Sequence, residues 1–166
     1  MRSWYLFSVW LHLLAAAIWI GSMVFLGAAV IPLLRKPEFL PVRTAMLYQL
    51  GLRFRWLGWI VLGVLLVTGI LNVGFRGYTW ADFWQGTLWQ GPWGRMLAWK
   101  LVLVLLVMVM SAVHDFYLGP RTMQLLARGE ASAENLRRTA SYLGRLMTLL
   151  SLAILALAVL LVRGGV

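Results

Sequence analysis

Three ionisable side chains stand inside long apolar runs of this 166-residue chain: His12, Lys100 and His114. An imidazole is a common metal ligand and proton carrier. An ammonium in hydrocarbon needs an anionic partner, or a lowered proton affinity that frees its lone pair. Lys100 and His114 share one run, WKLVLVLLVMVMSAVHDFYLGPR, closed by Gly119-Pro120-Arg121. At about 100° per residue, Lys100, Val107, Ser111 and His114 fall within roughly 60° of the helix circumference, so the polar groups share a face. An apolar helix with one polar stripe turns that stripe toward partner helices. A lone buried histidine is more often hydrogen-bonded than metal-binding, and a lysine near a helix end can snorkel to the headgroups. The question is therefore which elements bring these groups together.

Composition names the elements. The chain is 62% hydrophobic and 12% charged, with a mean hydropathy of +0.84. Soluble domains carry about 25% charged residues, so the expected fold is an all-α integral membrane protein, a bundle of four transmembrane helices in a lipid bilayer. The net charge of +10 would suggest nucleic acid in a soluble chain. Here the arginines sit mainly in short connectors and read as topology signals, so no nucleic-acid partner is expected. The absence of cysteine excludes disulfides, thiolate metal sites and iron–sulfur clusters. No catalytic triad, phosphate-binding glycine loop or carboxylate pair is present, and no catalytic residue is assigned.

The whole chain, 1–166, reads as one membrane domain with spans at about 4–34, 56–74, 96–117 and 142–162. The first is too long for a signal-peptide core and long enough to cross about 30 Å of hydrocarbon. Within it His12, Ala16, Trp19 and Met23 follow helical spacing. A second helix is expected to start near Pro41, since proline suits the first helical position. It carries Thr68 and Asn72 one turn apart, with Gly58, Gly63 and Gly69 allowing close helix contact. Loop 75–95 holds Trp80, Trp84, Trp89 and Trp93. It reads as an interfacial segment lying on the bilayer, or more sharply as a lid whose indoles stack over a flat ligand. Asp115 is expected to pair with Arg121 or with basic residues of the cytoplasmic connectors, Met108 and Met110 to serve in packing, and Ser132 to Glu134 to help start a surface helix.

Connector charge orients the bundle. Arg35, Lys36, Arg43, Arg53, Arg55, Arg121, Arg128, Arg137, Arg138 and Arg145 flank the first and third connectors. The positive-inside rule puts these in the cytoplasm and both termini outside. At 1.5 Å per residue His12 lies roughly 12 Å in from the outer end of its helix, and Lys100 roughly 6–8 Å in from the outer end of its own. Thr68 and Asn72 belong to the same outer half. His114 lies some 20 Å deeper than Lys100, near the level of Met23 and Met147. His12 and Lys100 are thus the expected pair, and the two histidines do not share one ion.

The segments WLHLLAAAIWIGSMVFL, RFRWLGWIVLGVLLVTGILNVG and KLVLVLLVMVMSAVHDFYLGPR together resemble the CopD-like family of small bacterial membrane proteins. That superfamily includes the copper-resistance D domain and the HemJ-type protoporphyrinogen oxidases. The resemblance covers about residues 4–123, most specifically HDFYLGPR and RFRWLGW. HemJ-type proteins bind haem b through a first-helix histidine and a lysine opening the third helix, positions that match His12 and Lys100 here. The resemblance therefore implies haem b between helices 1 and 3. His12 would be an iron ligand, Lys100 the second ligand or a propionate partner, and Trp19, Thr68 and Asn72 would shape the pocket. It implies a multi-pass protein of the bacterial inner membrane with a redox or porphyrin-related role, and a porphyrin, a quinone or another redox partner. If the chain is an enzyme, it is an oxidoreductase of the protoporphyrinogen oxidase type. HemJ-type chains usually carry further His and Tyr residues where this chain has His114-Asp115-Phe116-Tyr117. A copper-binding or copper-transporting protein is the alternative, using His12, His114 as a second site, Met23 and Met147, although the outer loop lacks the Met or His clusters that suit Cu(I). A non-catalytic subunit of a larger complex, or a homo-oligomer, is also compatible with the sequence.

Overall fold

The computed structural model describes residues 2–128, 130 and 132–163. Of the described residues 92% are helical and none lies in a strand. Four helices are long and apolar enough to cross a membrane: α1 (Arg2–Leu33), α2 (Pro37–Gly74), α4 (Gly91–Leu126) and α5 (Ser132–Val162). A short α3 (Trp80–Gln85) lies in the loop between α2 and α4.

Prolines punctuate this design. Pro32 and Pro120 sit inside long helices, where each lacks the N–H that would bond the carbonyl four residues back. Directly before each, the helix widens into a π-turn, Leu26–Val30 and Val113–Leu118. Such a turn re-registers the backbone hydrogen bonds around a missing donor. Lys36, immediately before Pro37 and after the turn that follows α1, is extended (ψ 146°), as pre-proline sterics require. Pro41 stands in the first turn of the regular α-helix that begins at Leu40, in line with the sequence expectation.

α1 packs along α2, and α4 along α5, so the bundle is two helical hairpins set side by side. Gly58 and Gly69 make the first pairing close: a Cβ at 58 would come within 3.2 Å of the Trp19 ring, and one at 69 within 3.6 Å of the His12 ring. Gly63 meets nothing within 4 Å. Polar bonds tie the helices into a ring. Ser8 reaches the Thr68 carbonyl at 3.5 Å, Trp59 Nε1 donates to Asp115 at 3.2 Å, Ser111 to the Met147 sulfur at 3.5 Å, and Trp19 Nε1 to Ser151 at 3.1 Å. Interhelical bonds of this kind average about 0.6 kcal/mol in membranes, so they fix register more than they supply stability. Large side chains such as Trp56, Leu105 and Leu149 are exposed around the outside, as a lipid-facing surface requires.

The Trp-rich loop is folded. Thr79 and Asp82 form a reciprocal capping box at the start of α3, and Gly86, at φ 86°, ends it in the left-handed region that favours glycine. Leu88 from the loop packs with Leu97 and Leu161 in a buried cluster flanked by Phe83, Trp89 and Trp93. The loop crosses α4 at Gly94, where a Cβ would lie 2.5 Å from the Leu88 carbonyl oxygen and 2.6 Å from the Trp89 backbone. Gly94→Ala therefore forces the loop off α4. We expect the overpacking to cost about 1–3 kcal/mol, read as a lower Tm together with faster proteolysis within 75–95; an unchanged loop would contradict this packing.

Asp82 also makes the loop sensitive to acid. Its carboxylate accepts the Thr79 hydroxyl at 2.6 Å, the Thr79 N–H at 2.7 Å and the Thr87 hydroxyl at 2.8 Å, and these bonds hold its pKa below the usual carboxylate range. A depressed pKa means that the contribution is fully present above the ordinary aspartate value and is lost as pH falls through the folded one. Hydrogen-exchange protection in 79–87, measured relative to the intrinsic rate at each pH, is expected to fall below about pH 4 in the native chain, and to be low and independent of pH in Asp82→Asn.

Candidate functional site

Between the two hairpins lies a cavity of about 630 Å³, bordered by α1, α2, α4 and α5 and closed at one end by the Trp loop. That volume falls within the roughly 300–1,000 Å³ usual for small-molecule and cofactor sites. Its wall is mostly apolar, with His12, Trp19, Asn72, Arg76, Lys100 and Ser151 among the residues that bring polar groups to it. Four of the five residues singled out in the sequence as cofactor-binding line this one space. The fifth, Thr68, is buried behind His12.

Thr68 decides what His12 offers. Its hydroxyl oxygen stands 2.6 Å from the Val64 carbonyl and 2.7 Å from His12 Nδ1. A carbonyl accepts but never donates, so the Thr68 proton belongs to Val64, one turn back. The hydroxyl oxygen then accepts from His12, and we assign the proton of the imidazole to Nδ1. The lone pair is left on Nε2, which has no hydrogen-bond partner among the described residues. Metal-binding histidines use this arrangement, in which the far ring nitrogen donates to an orienting acceptor.

The rest of the wall is equally specific. The Trp19 indole is anchored by Ser151 and given room by Gly58. Lys100 borders the same cavity as His12 from the opposite hairpin. Its ammonium has no ion-pair partner among the described residues. At the loop end, Asn72 Oδ1 and Trp93 Nε1 are buried without hydrogen-bond partners, and leaving such groups unpaired costs roughly 1–3 kcal/mol each. The arrangement can present one imidazole lone pair to a flat, largely apolar ligand and meet polar groups at one end.

His114 is not part of this site. It does not line the cavity; its Nδ1 lies 2.9 Å from Asp115, which also accepts from Trp59. The expected partnership of Asp115 with Arg121 does not form. Residues six apart point to different sides of a helix, whereas Tyr117, four before Arg121, is its neighbour and accepts from it at 3.1 Å. Met23 and Met147 each take a hydroxyl hydrogen bond, from Ser151 and Ser111 respectively, and neither lines the cavity. No group of three or more His, Cys, Asp or Glu is assembled among the described residues. Sequence reading did not single out Arg76, Tyr78 and Trp93 as site residues. The density of aromatic residues in 75–95 was the available signal, but interfacial anchoring explains such density equally well. Trp84, 80% exposed, fits that anchoring role, while Trp80 and Trp93 border the cavity, so the loop is both anchor and cover.

Two comparisons relate this chain to known proteins. The profile of a family described as "Copper resistance protein D" matches residues 49–161, more than half of the chain. A protein of Aquifex aeolicus (strain VF5), described as uncharacterized, is 30% identical over 161 residues, covering 96% of this chain and 94% of its own length. No solved structure matches.

Proposed function

The chain belongs to the copper resistance protein D family as a multi-pass membrane protein, and on that premise we propose that it binds haem b in the cavity between α1 and α4. The observation that carries this reading is His12, held by Thr68 with its Nε2 lone pair free on an apolar cavity of cofactor size. The residues present fit the group. The imidazole is an iron ligand of the kind found in b-type haem proteins. Lys100 is available as a second ligand or as the partner of a carboxylate, and Asn72 and Trp93 border the same cavity.

Haem supplies one-electron redox chemistry when bound, and the reading is accordingly a redox or porphyrin-related role, of the protoporphyrinogen oxidase type if the chain is an enzyme. The protein's own share is separable. Thr68 sets the tautomer and direction of His12, Trp19 braced by Ser151 forms a rigid wall, the apolar lining excludes water, and the Trp loop covers the end. The orientation that goes with this proposal puts both termini outside the bacterial inner membrane, following the connector charges, with the whole chain as one domain.

The family description favours a second reading, copper binding. Its candidate groups, His12, His114, Met23 and Met147, are dispersed along the bundle, and the two thioethers are already engaged by serines. Metal analysis separates the two readings. Protein purified from cells supplied with both iron and copper is expected to carry about one iron per chain as haem and sub-stoichiometric copper. Stoichiometric copper without porphyrin would reverse the choice.

A further inference from the structure

Every charged side chain on the cavity wall is a base. Arg76, Lys100 and, when protonated, His12 border it, and among the described residues no Asp or Glu does. The loop's own carboxylate, Asp82, is occupied by Thr79 and Thr87. Neither Arg76 nor Lys100 forms an ion pair among the described residues. Lys100 is half-buried in a low-dielectric wall without a counter-charge, and Arg76, exposed at the loop end, adds a second positive charge at the rim; together they select an anionic occupant.

Arg76 is also held ready for one. Its guanidinium carbon lies 5.1 Å from the centroid of the Trp93 ring, and Tyr78 stacks on the same indole at 5.3 Å with only 2° between planes. The turn ending α2 fixes this placement: the Arg76 N–H bonds the Val73 carbonyl at 3.1 Å, and Gly77, at φ 92°, reverses the chain. A cation–π contact through the guanidinium carbon leaves N–H groups for an acceptor, and a guanidinium's paired N–H groups match the two oxygens of a carboxylate.

We propose that the loop end of the cavity is a carboxylate subsite: Arg76, stacked on Trp93, binds the carboxylate of an amphipathic ligand whose apolar body fills the cavity. Lys100, seven residues after Trp93 and so about 10 Å further along α4, is a second cationic contact deeper in. This rests on the haem reading for the identity of the natural ligand, but the subsite itself needs no iron. Two sources can supply the oxyanion, a ligand seated in the cavity or the headgroup of a neighbouring lipid, and the proposal commits to the first.

The test uses iron-free protoporphyrin IX and its dimethyl ester, titrated into the full chain in neutral detergent and followed by porphyrin fluorescence. The diacid is expected to bind about tenfold or more tightly than the ester. Arg76→Gln should remove that advantage while leaving the affinity for the ester unchanged, and Arg76→Lys should recover part of it. Equal affinities in the native chain, an equal loss for both ligands in Arg76→Gln, or binding of neither would overturn the proposal. Added phosphatidylglycerol that abolished the diacid's advantage would assign Arg76 to lipid headgroups and overturn it too. The probe contains no iron, so a chain that keeps the diacid preference yet holds no haem through His12 would refute the proposed function and leave the subsite standing.

Discussion

His12→Ala is expected to empty the site of haem. Protein purified after expression with added haem should fall from about one haem per chain to less than a tenth of that, since loss of even an orienting partner costs 10–100-fold in affinity and loss of the ligand costs more. The fold should survive. His12 is half-buried, its neighbours Gly69 and Thr68 belong to α2, and α1 retains the Ser8 and Trp19 bonds to α2 and α5. His114→Ala is the matched control: it removes an imidazole from the same protein but from outside the cavity, and haem content should not change. Equal losses in the two variants would mean that the haem, if present, is not held where the cavity lies.

The second large effect is at Thr68, a residue that does not touch the cavity. Thr68→Val preserves shape and removes the oxygen that accepts from His12 Nδ1. The buried N–H then lacks a partner, at a cost of roughly 1–3 kcal/mol, and the ring is free to adopt the other tautomer, with its proton on the nitrogen that should face the ligand. Haem affinity is expected to fall 10–100-fold. Thr68→Ser keeps the oxygen and should restore most of it. A valine variant with native affinity would show that the hydroxyl does not orient the imidazole.

That His12 and Lys100 border one cavity was legible from simple geometry, 1.5 Å per residue along helices of membrane length. The four spans were legible for the same reason. What the sequence hid is lateral packing. Nothing in the spacing of Gly58 and Gly69 says that one faces Trp19 and the other His12, while Gly63 faces neither. Nor does the run SAVHDFYLGP announce a π-turn, although Pro120 supplies the reason for one. His114 shares a helical stripe with Lys100 on paper, but its contacts are set at the other end of the bundle by Asp115 and Trp59, a residue 56 positions from Asp115. The loop was the least readable part. A tryptophan at an interface and a tryptophan closing a cavity have the same composition, and only the Gly94 crossing and the Tyr78–Trp93–Arg76 stack tell them apart.

The most direct measurement is the visible absorption spectrum of the detergent-purified chain, oxidised and then reduced with dithionite. The account predicts a Soret band that shifts on reduction and sharp α and β bands, in proportion to protein. A featureless spectrum in both states, unchanged when haem is supplied during expression, would contradict it.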